Sequence, residues 1–309
     1  MGYGRRGYRR GAGSACRHRE RAMRVAVLGT GLMGAPMARR LHMAGHDLSV
    51  WNRSPDRALP LADIARIATT PAEAVQDADI VIAMLLDGPA TRAVLLDHGV
   101  LDAAPPGALI IDMGSVDPET DRALGREAIS RGLVFIDAPV SGGVVGAEAG
   151  SLSIFVGGNA KDFDRAMPIF DALGRPTHLG SIGAGQTAKL ANQVIVAITI
   201  GAVAEGLRLA QAGGCDIAAT RAALMGGFAD SRILDLHGAR MVAGDYVPGG
   251  RSVAQLKDLD NAAALASENA LFLPLSDTIR AGFHDLVTHH DGAELDHSAY
   301  FHWLELKRN

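Results

Sequence analysis

The chain has 309 residues, enough for two domains, and 48% hydrophobic against 21% charged residues favours packed cores over disorder. Two cysteines, Cys16 and Cys215, exclude a disulfide framework and fit a reducing, cytoplasmic setting. The net charge of −4 is uneven, because residues 1–22 hold seven arginines against one acid, Glu20.

That first segment has no apolar stretch of the kind a secretory signal needs. We read residues 1–22 as a disordered basic extension, or as the product of a start upstream of Met23, in preference to a transit peptide or a nucleic-acid arm. No nucleic-acid partner is expected. Arg24 to Leu28 is a short β-type run, followed by the turn Gly29-Thr30-Gly31-Leu32-Met33-Gly34. Met33, Met37, Leu41 and Met43 then recur at helical spacing up to Gly45, and Leu48 to Trp51 is a second strand.

The alternation continues along the chain. Helices are expected over Pro71–Gln76, Ala90–Leu96, Pro118–Arg131 and Lys161–Leu173. Strands are expected over Asp79–Leu85, Ala108–Met113, Leu133–Ile136 and Ser151–Val156. Short, continuously apolar strands imply burial on both faces, as in a parallel sheet covered by helices. Beyond three glycines in the stretch 180–185 the strand signal stops. Gln186–Ala212 is one long helical pattern whose most apolar stretch, Val194 to Val203, reads as buried rather than membrane-spanning. Helices follow at Ile217–Met225, Val253–Glu268, Pro274–His289 and Ala299–Leu306. The predicted class is α/β: a Rossmann-type doubly wound parallel sheet over residues 23–184, then an all-helical substrate and dimerisation domain over 185–309.

The glycine turn lies between a strand and a helix, where the G-x-G-x-x-G pattern signals dinucleotide binding. Gly29 permits the tight turn, Gly31 lets backbone approach a pyrophosphate, and Gly34 lets helix and strand pack closely. NAD enzymes place a carboxylate at the end of the second strand. Here stand Asn52-Arg53-Ser54, and an arginine attracts a 2′-phosphate that a carboxylate repels. NADP is therefore favoured over NAD, with an ordinary surface arginine as the alternative reading of Arg53.

Two further clusters carry chemistry. Lys189 and Asn192, three apart on the long helix, share a face at the seam between sheet and helices. A desolvated lysine there can act as a general acid/base, although spacing alone leaves a solvated helix lysine equally open. Ser141-Gly142-Gly143 follows a strand at the carboxyl end of the sheet and suits a carboxylate, or is a plain turn. His284, His289, His290, His297 and His302 with Asp291 and Asp296 lack metal-ligand spacing, so no metal is expected. Asp235-Leu236-His237 reads as a helix surface feature.

Together these residues resemble the β-hydroxyacid dehydrogenases, the family of 3-hydroxyisobutyrate dehydrogenase and tartronate semialdehyde reductase. The likeness covers residues 23–306 through the glycine turn with Pro36-Met37-Ala38, Asp137 to Gly143, Gly183 to Gln193, and Lys257-Asp258-Leu259. The run from Lys189 to Ala197 and Asp296-His297-Ser298-Ala299 look most like the tartronate semialdehyde (2-hydroxy-3-oxopropionate) reductase branch. The resemblance implies an NAD(P)-dependent oxidoreductase moving a hydride between nicotinamide and a small hydroxy acid or semialdehyde. It implies Lys189 as catalytic residue, and Ser141, Gly142, Gly143 and Asn192 on the substrate. Gly29, Gly31, Leu32, Met33, Gly34, Asn52, Arg53, Ser54, Leu85, Leu86, Ser115 and Lys257 would face the cofactor. It also implies a homodimer or homotetramer built through the helical half. The sequence departs from the family at Met84-Leu85-Leu86, where Met-Leu-Pro is usual, and after Gly226, where the substrate pocket is shaped. An imine reductase of the same fold and a non-catalytic dinucleotide-binding scaffold are the alternatives. Relatives of both kinds usually lack the lysine.

Overall fold

The computed structural model describes residues 22–307, so the expectation for the first segment falls outside the described residues, apart from Ala22. The first half alternates strand and helix. In order it holds β1 (Arg24–Leu28), α1 (Gly34–Met43), β2 (Asp47–Trp51), β3 (Arg66–Ile67), α2 (Pro71–Val75), β4 (Ile80–Ala83), α3 (Gly88–Arg92), α4 (Val100–Ala103), β5 (Leu109–Asp112) and α5 (Pro118–Ser130). Then come β6 (Val134–Asp137), β7 (Val140–Ser141), α6 (Gly143–Ala149), β8 (Leu152–Gly157), α7 (Ala160–Leu173) and β9 (Gly174–Gly180). From there the chain is helical: α8 (Ala184–Ala212), α9 (Ile217–Leu224), α10 (Arg232–Ala243), α11 (Ser252–Glu268), α12 (Pro274–His289) and α13 (Tyr300–Leu306).

The sheet runs β3-β2-β1-β4-β5-β6-β8-β7, with β9 beside β8. The first six strands are parallel and follow the doubly wound order, whose crevice lies where the order reverses, between β1 and β4. Strict alternation fixes the two faces. Val25, Val27, Ile80, Ile82, Leu109 and Ile111 pack with Met37 and Leu41 on one side. Ala26, Leu28, Val81 and Ile110 pack with Val75 and Leu95 on the other. In register, Trp51, Leu28, Ala83, Asp112 and Asp137 end their strands in one row, so the loops that follow share one edge.

The expected doubly wound parallel sheet is present, with an antiparallel addition at one edge. β8 is antiparallel to β6, and β7 is antiparallel to β8. The sequence reading also missed β3, β7, β9, α4, α6 and α10. β9 carries Pro176 between two terminal glycines, and an edge strand needs no apolar run. Gly238 breaks the apolar pattern of α10.

The helical half closes around α8. Ala197, Ile200, Ala204 and Leu207 pack with Leu259, Phe283 and Tyr300. The N-terminus of α8 is capped from outside: Asp137 at the end of β6 accepts from the Gly183 and Gln186 backbone N–H groups, both at 2.8 Å. A carboxylate offsets the positive helix end and ties the helix to the sheet edge. Within the stretch Val194 to Val203, expected to be buried, Ala197 and Ile200 are buried, whereas Ile195 is 67% exposed. By length and mean hydropathy, 1.6, α8 could cross a membrane, but the same features suit a helix that packs on two sides.

Candidate active site

The glycine turn leaves β1 at the crevice. The Gly29 N–H donates to the Trp51 carbonyl at 2.8 Å, with φ at +101°, and a Cβ there would stand 2.3 Å from the Met84 carbonyl oxygen. A Cβ on Gly34 would stand 1.9 Å from the Gly29 oxygen, while one on Gly31 would meet nothing within 4 Å. So Gly29 and Gly34 close the turn, and Gly31 faces open space beside the backbone. Helix α1 begins at Gly34, with Met33 at its N-cap position giving no side-chain cap and with no acid in the first turn. The Thr30 hydroxyl is buried without a partner among the described residues. An uncapped helix end with an orphaned hydroxyl and open space before it fits a dinucleotide pyrophosphate. Leu32 is exposed on the lip of this turn and Met33 is half-buried.

Asn52 links the turn to the second strand. Its Oδ1 accepts from the Thr30 N–H at 3.0 Å and its Nδ2 donates to the Ser54 carbonyl at 2.9 Å. The side chain read as a cofactor contact is therefore first a brace for the turn. Arg53 and Ser54 are exposed, and Arg53 has no ion-pair or hydrogen-bond partner among the described residues. Leu85 is half-buried against the sheet, whereas Leu86 is 56% exposed.

Across the crevice, Lys257 of α11 donates to the Leu86 carbonyl at 3.1 Å and to the Ser115 carbonyl, pinning two sheet-edge loops. Its neighbour Asp258 is buried. Asp258 accepts from the Ser115 hydroxyl at 2.9 Å and from Gln193 Nε2 at 2.7 Å. Gln193 Oε1 in turn accepts from Lys189 Nζ at 3.0 Å and from Asn192 Nδ2 at 2.9 Å. Lys189 and Asn192 are thus brought together on one acceptor, whose amide is oriented by a buried carboxylate. Lys189 is only 8% exposed. Burial lowers its pKa to about 8; Asp258 resists that shift and Lys257 adds to it. The lysine is the buried, perturbed group that spacing alone could not distinguish from a solvated one.

Ser141 lies in β7, and Gly142 and Gly143 follow with φ of +135° and +62°. No hydrogen bond joins these three to Lys189 or Asn192 among the described residues. They stand at the same sheet edge, outside the Lys189–Gln193–Asp258–Ser115 network.

Sequence reasoning missed Gln193 as the lysine's partner, and Asp258 and Gln255 as the partners of the Gln193 amide. A signal existed. Gln193 is four residues after Lys189, and Gln255 and Asp258 are three apart on one helix face. His237 was also misplaced. It is partly buried, its Nε2 2.7 Å from His297 Nε2, not a plain surface residue. Burial lowers the pKa of both, that of His297 to about 4. With Asp296 they form a compact group whose ligand atoms lie within 4.8 Å of one another. Both Asp296 oxygens are already engaged, by the Gly249 and Gly250 N–H groups on one side and by Ser298 on the other. The two imidazole nitrogens are at hydrogen-bond distance from each other.

Comparisons with known proteins place the chain among known enzymes. Residues 24–190 match the model for the NAD binding domain of 6-phosphogluconate dehydrogenase, and residues 183–304 match that for the NAD-binding of NADP-dependent 3-hydroxyisobutyrate dehydrogenase. The chain is 40% identical to 2-hydroxy-3-oxopropionate reductase of Escherichia coli strain K12, over 93% of this chain and 99% of that protein. It is 34% identical to 3-hydroxyisobutyrate dehydrogenase of Pseudomonas aeruginosa, over 88% and 94%. The solved structure of Mycobacterium tuberculosis 3-hydroxyisobutyrate dehydrogenase with L-serine superposes with a TM-score of 0.83 at 31% identity, over 93% and 100% of the two chains. A Pseudomonas imine reductase, 22% identical with a TM-score of 0.57 over 92% and 100%, shares the fold alone.

Proposed function

We propose a function from the premise that this chain belongs to the β-hydroxyacid dehydrogenase family, that of 3-hydroxyisobutyrate dehydrogenase. It is an NAD(P)-dependent oxidoreductase acting on a small hydroxy acid or its carbonyl partner. Our finer reading is that it reduces 2-hydroxy-3-oxopropionate with NADPH, and that Lys189 is the proton donor. The carrying observation is that Lys189 and Asn192 converge on one oxygen acceptor, with the lysine buried and its pKa lowered to about 8.

A reduced nicotinamide bound over the glycine turn would supply the hydride. Everything else falls to the chain. Lys189 carries three N–H bonds as an ammonium and spends one on Gln193. Asn192 likewise spends one of two. The remaining hydrogens are free for a substrate carbonyl oxygen. As that oxygen becomes an alkoxide, the ammonium transfers a proton to it and is left as the amine, while Asn192 steadies the developing charge without competing for the proton. A lysine whose pKa is near 8 is largely charged at neutral pH, yet loses its proton more readily than an exposed one. The Ser141 hydroxyl and the backbone at Gly142 and Gly143 would hold the substrate carboxylate, and Lys257 and Ser115 would border the nicotinamide ribose. Unpaired, exposed Arg53 with no carboxylate at the end of β2 supports NADPH over NADH.

The half-exposed stripe of α8 around Val194, Ile195 and Ile198 supports a homodimer through the helical half, residues 185–309, with residues 23–184 as the nucleotide unit. The two cysteines support a cytoplasmic setting. Steady-state assays with 2-hydroxy-3-oxopropionate, and with 3-hydroxyisobutyrate in reverse, using both cofactors, test the reading. A kcat/KM preference for 2-hydroxy-3-oxopropionate with NADPH supports it. A preference for 3-hydroxyisobutyrate, or for NADH, contradicts the substrate or cofactor respectively.

A further inference from the structure

Beneath the cofactor-side loop lie two acids that the reaction does not use. Asp112 ends β5 and Asp121 sits in the first turn of α5, and both are fully buried. One oxygen of each has an ordinary donor. Asp112 Oδ1 accepts from the Gly114 N–H at 2.9 Å, and Asp121 Oδ2 accepts from Gln186 Nε2 at 2.8 Å. The other oxygens, Asp112 Oδ2 and Asp121 Oδ1, are buried with no donor among the described residues. The two acids sit on one small network: the Gly114 N–H donates to Asp112, and Gln186 Nε2 donates both to the Gly114 carbonyl and to Asp121. Two carboxylates are acceptors only, so their orphaned oxygens can bond to each other only with a proton between them.

We infer that Asp112 and Asp121 share a proton, and that this bonded pair is the anchor by which Gln186 clamps the loop at 113–116 to the base of the catalytic helix. Gln186 is the element that the anchor holds. Its Nε2 also donates to the Gly114 carbonyl at 3.0 Å, and its Oε1 accepts from the Val116 N–H at 3.2 Å. Gln186 therefore grips both sides of Ser115, one turn before Lys189. Without the shared proton, two buried anions would face each other beside a third acid, Asp137 at the end of β6. Lys257 of α11 opposes the shift at Asp112. Asp112 and Asp121 are thus positioning residues, and the link from loop to cofactor rests on the functional reading above.

Burial raises the pKa of both acids, that of Asp112 to about 6 and that of Asp121 well above its usual range. From about pH 4, where an unfolded carboxyl ionises, up to about pH 6 the folded protein keeps a proton that the unfolded chain has lost, so stability falls as pH rises through that range. One such proton changes the folding equilibrium by about tenfold per pH unit. Asp121→Asn imitates the protonated acid, since its amide can donate to Asp112 while its oxygen still accepts from Gln186. Asp112→Asn does the same from the other side.

Denaturant unfolding of the full chain from about pH 4 to about pH 6 decides the question without substrate or cofactor. The wild type is expected to lose about tenfold in its folding equilibrium per pH unit relative to Asp121→Asn and Asp112→Asn. Equal pH slopes in all three proteins would overturn the shared proton. Fluorescence titration with NADPH and with NADH then tests the clamp. Asp121→Asn should bind as wild type does and Asp121→Leu about tenfold more weakly, with the folded state of each verified by circular dichroism. Unchanged binding in folded Asp121→Leu would overturn the clamp while leaving the dehydrogenase reading intact.

Discussion

The two sides of the crevice are built from different materials. The β1–α1 side offers main chain: an uncapped helix end, a glycine turn closed against the Met84 carbonyl, and a brace from Asn52 within 25 residues of sequence. The lysine side offers side chains from distant elements. Lys189 and Gln193 come from α8, Asp258 from α11 and Ser115 from the loop after β5, joined across 65 to 143 residues. Backbone sites tolerate many side chains and depend on conformation. A side-chain network depends on each member, because a buried polar group that loses its partner bears the full cost of desolvation.

Substitutions on the two sides should therefore fail differently. The largest effect is expected at Lys189. Lys189→Ala should lower turnover by about 10² to 10⁴ while leaving cofactor affinity near wild type, because the proton donor goes and the glycine turn stays. Rapid-quench turnover and a fluorescence titration measure the two; parallel losses in both would erase the distinction between the two sides. Gln193→Leu removes the shared acceptor. A fall of about 10- to 100-fold in kcat, with the KM for cofactor little changed, is expected when two donors lose their common aim. A wild-type kcat in this variant would mean that Lys189 and Asn192 need no guide.

Smaller effects belong to the backbone side. Arg53→Asp should lower the NADPH-to-NADH ratio of kcat/KM by about tenfold or more, since a carboxylate repels the 2′-phosphate and can bond the ribose hydroxyls. An unchanged ratio would make Arg53 an ordinary surface residue. Ser141→Ala should raise the KM for substrate by about five- to tenfold and leave cofactor binding alone, the loss of one hydrogen bond to a charged group. If cofactor affinity falls instead, the loop after β6 serves the nucleotide.

How legible each side was in the sequence follows from the same contrast. The glycine turn, its strand and its helix are contiguous, so residues 24–51 announced their structure through spacing alone. The doubly wound order followed from the alternation. The antiparallel β7 and β8 did not, because a two-residue strand carries no period and β8 looks the same in either direction. On the lysine side only the members on one helix were readable. Spacing put Lys189 and Asn192 on one face but left a solvated lysine equally open, and Lys257 entered by likeness, whereas the contact of Asp258 joins helices 65 residues apart. Asp137 entered only as the first residue of a stretch that carries the likeness; the structure makes it the cap of α8, since its partners Gly183 and Gln186 are 46 and 49 residues away.

The central claim is that Lys189 passes a proton to and from the substrate oxygen, and the pH dependence of kcat in both directions tests it most directly. A lysine with its pKa lowered to about 8 must be protonated to assist reduction and unprotonated to assist oxidation. Reductive kcat should therefore fall as pH rises through about 8, oxidative kcat should rise through the same range, and Lys189→Ala should show neither limb. Flat profiles from pH 7 to 9 in both directions, or limbs that persist in Lys189→Ala, would contradict it.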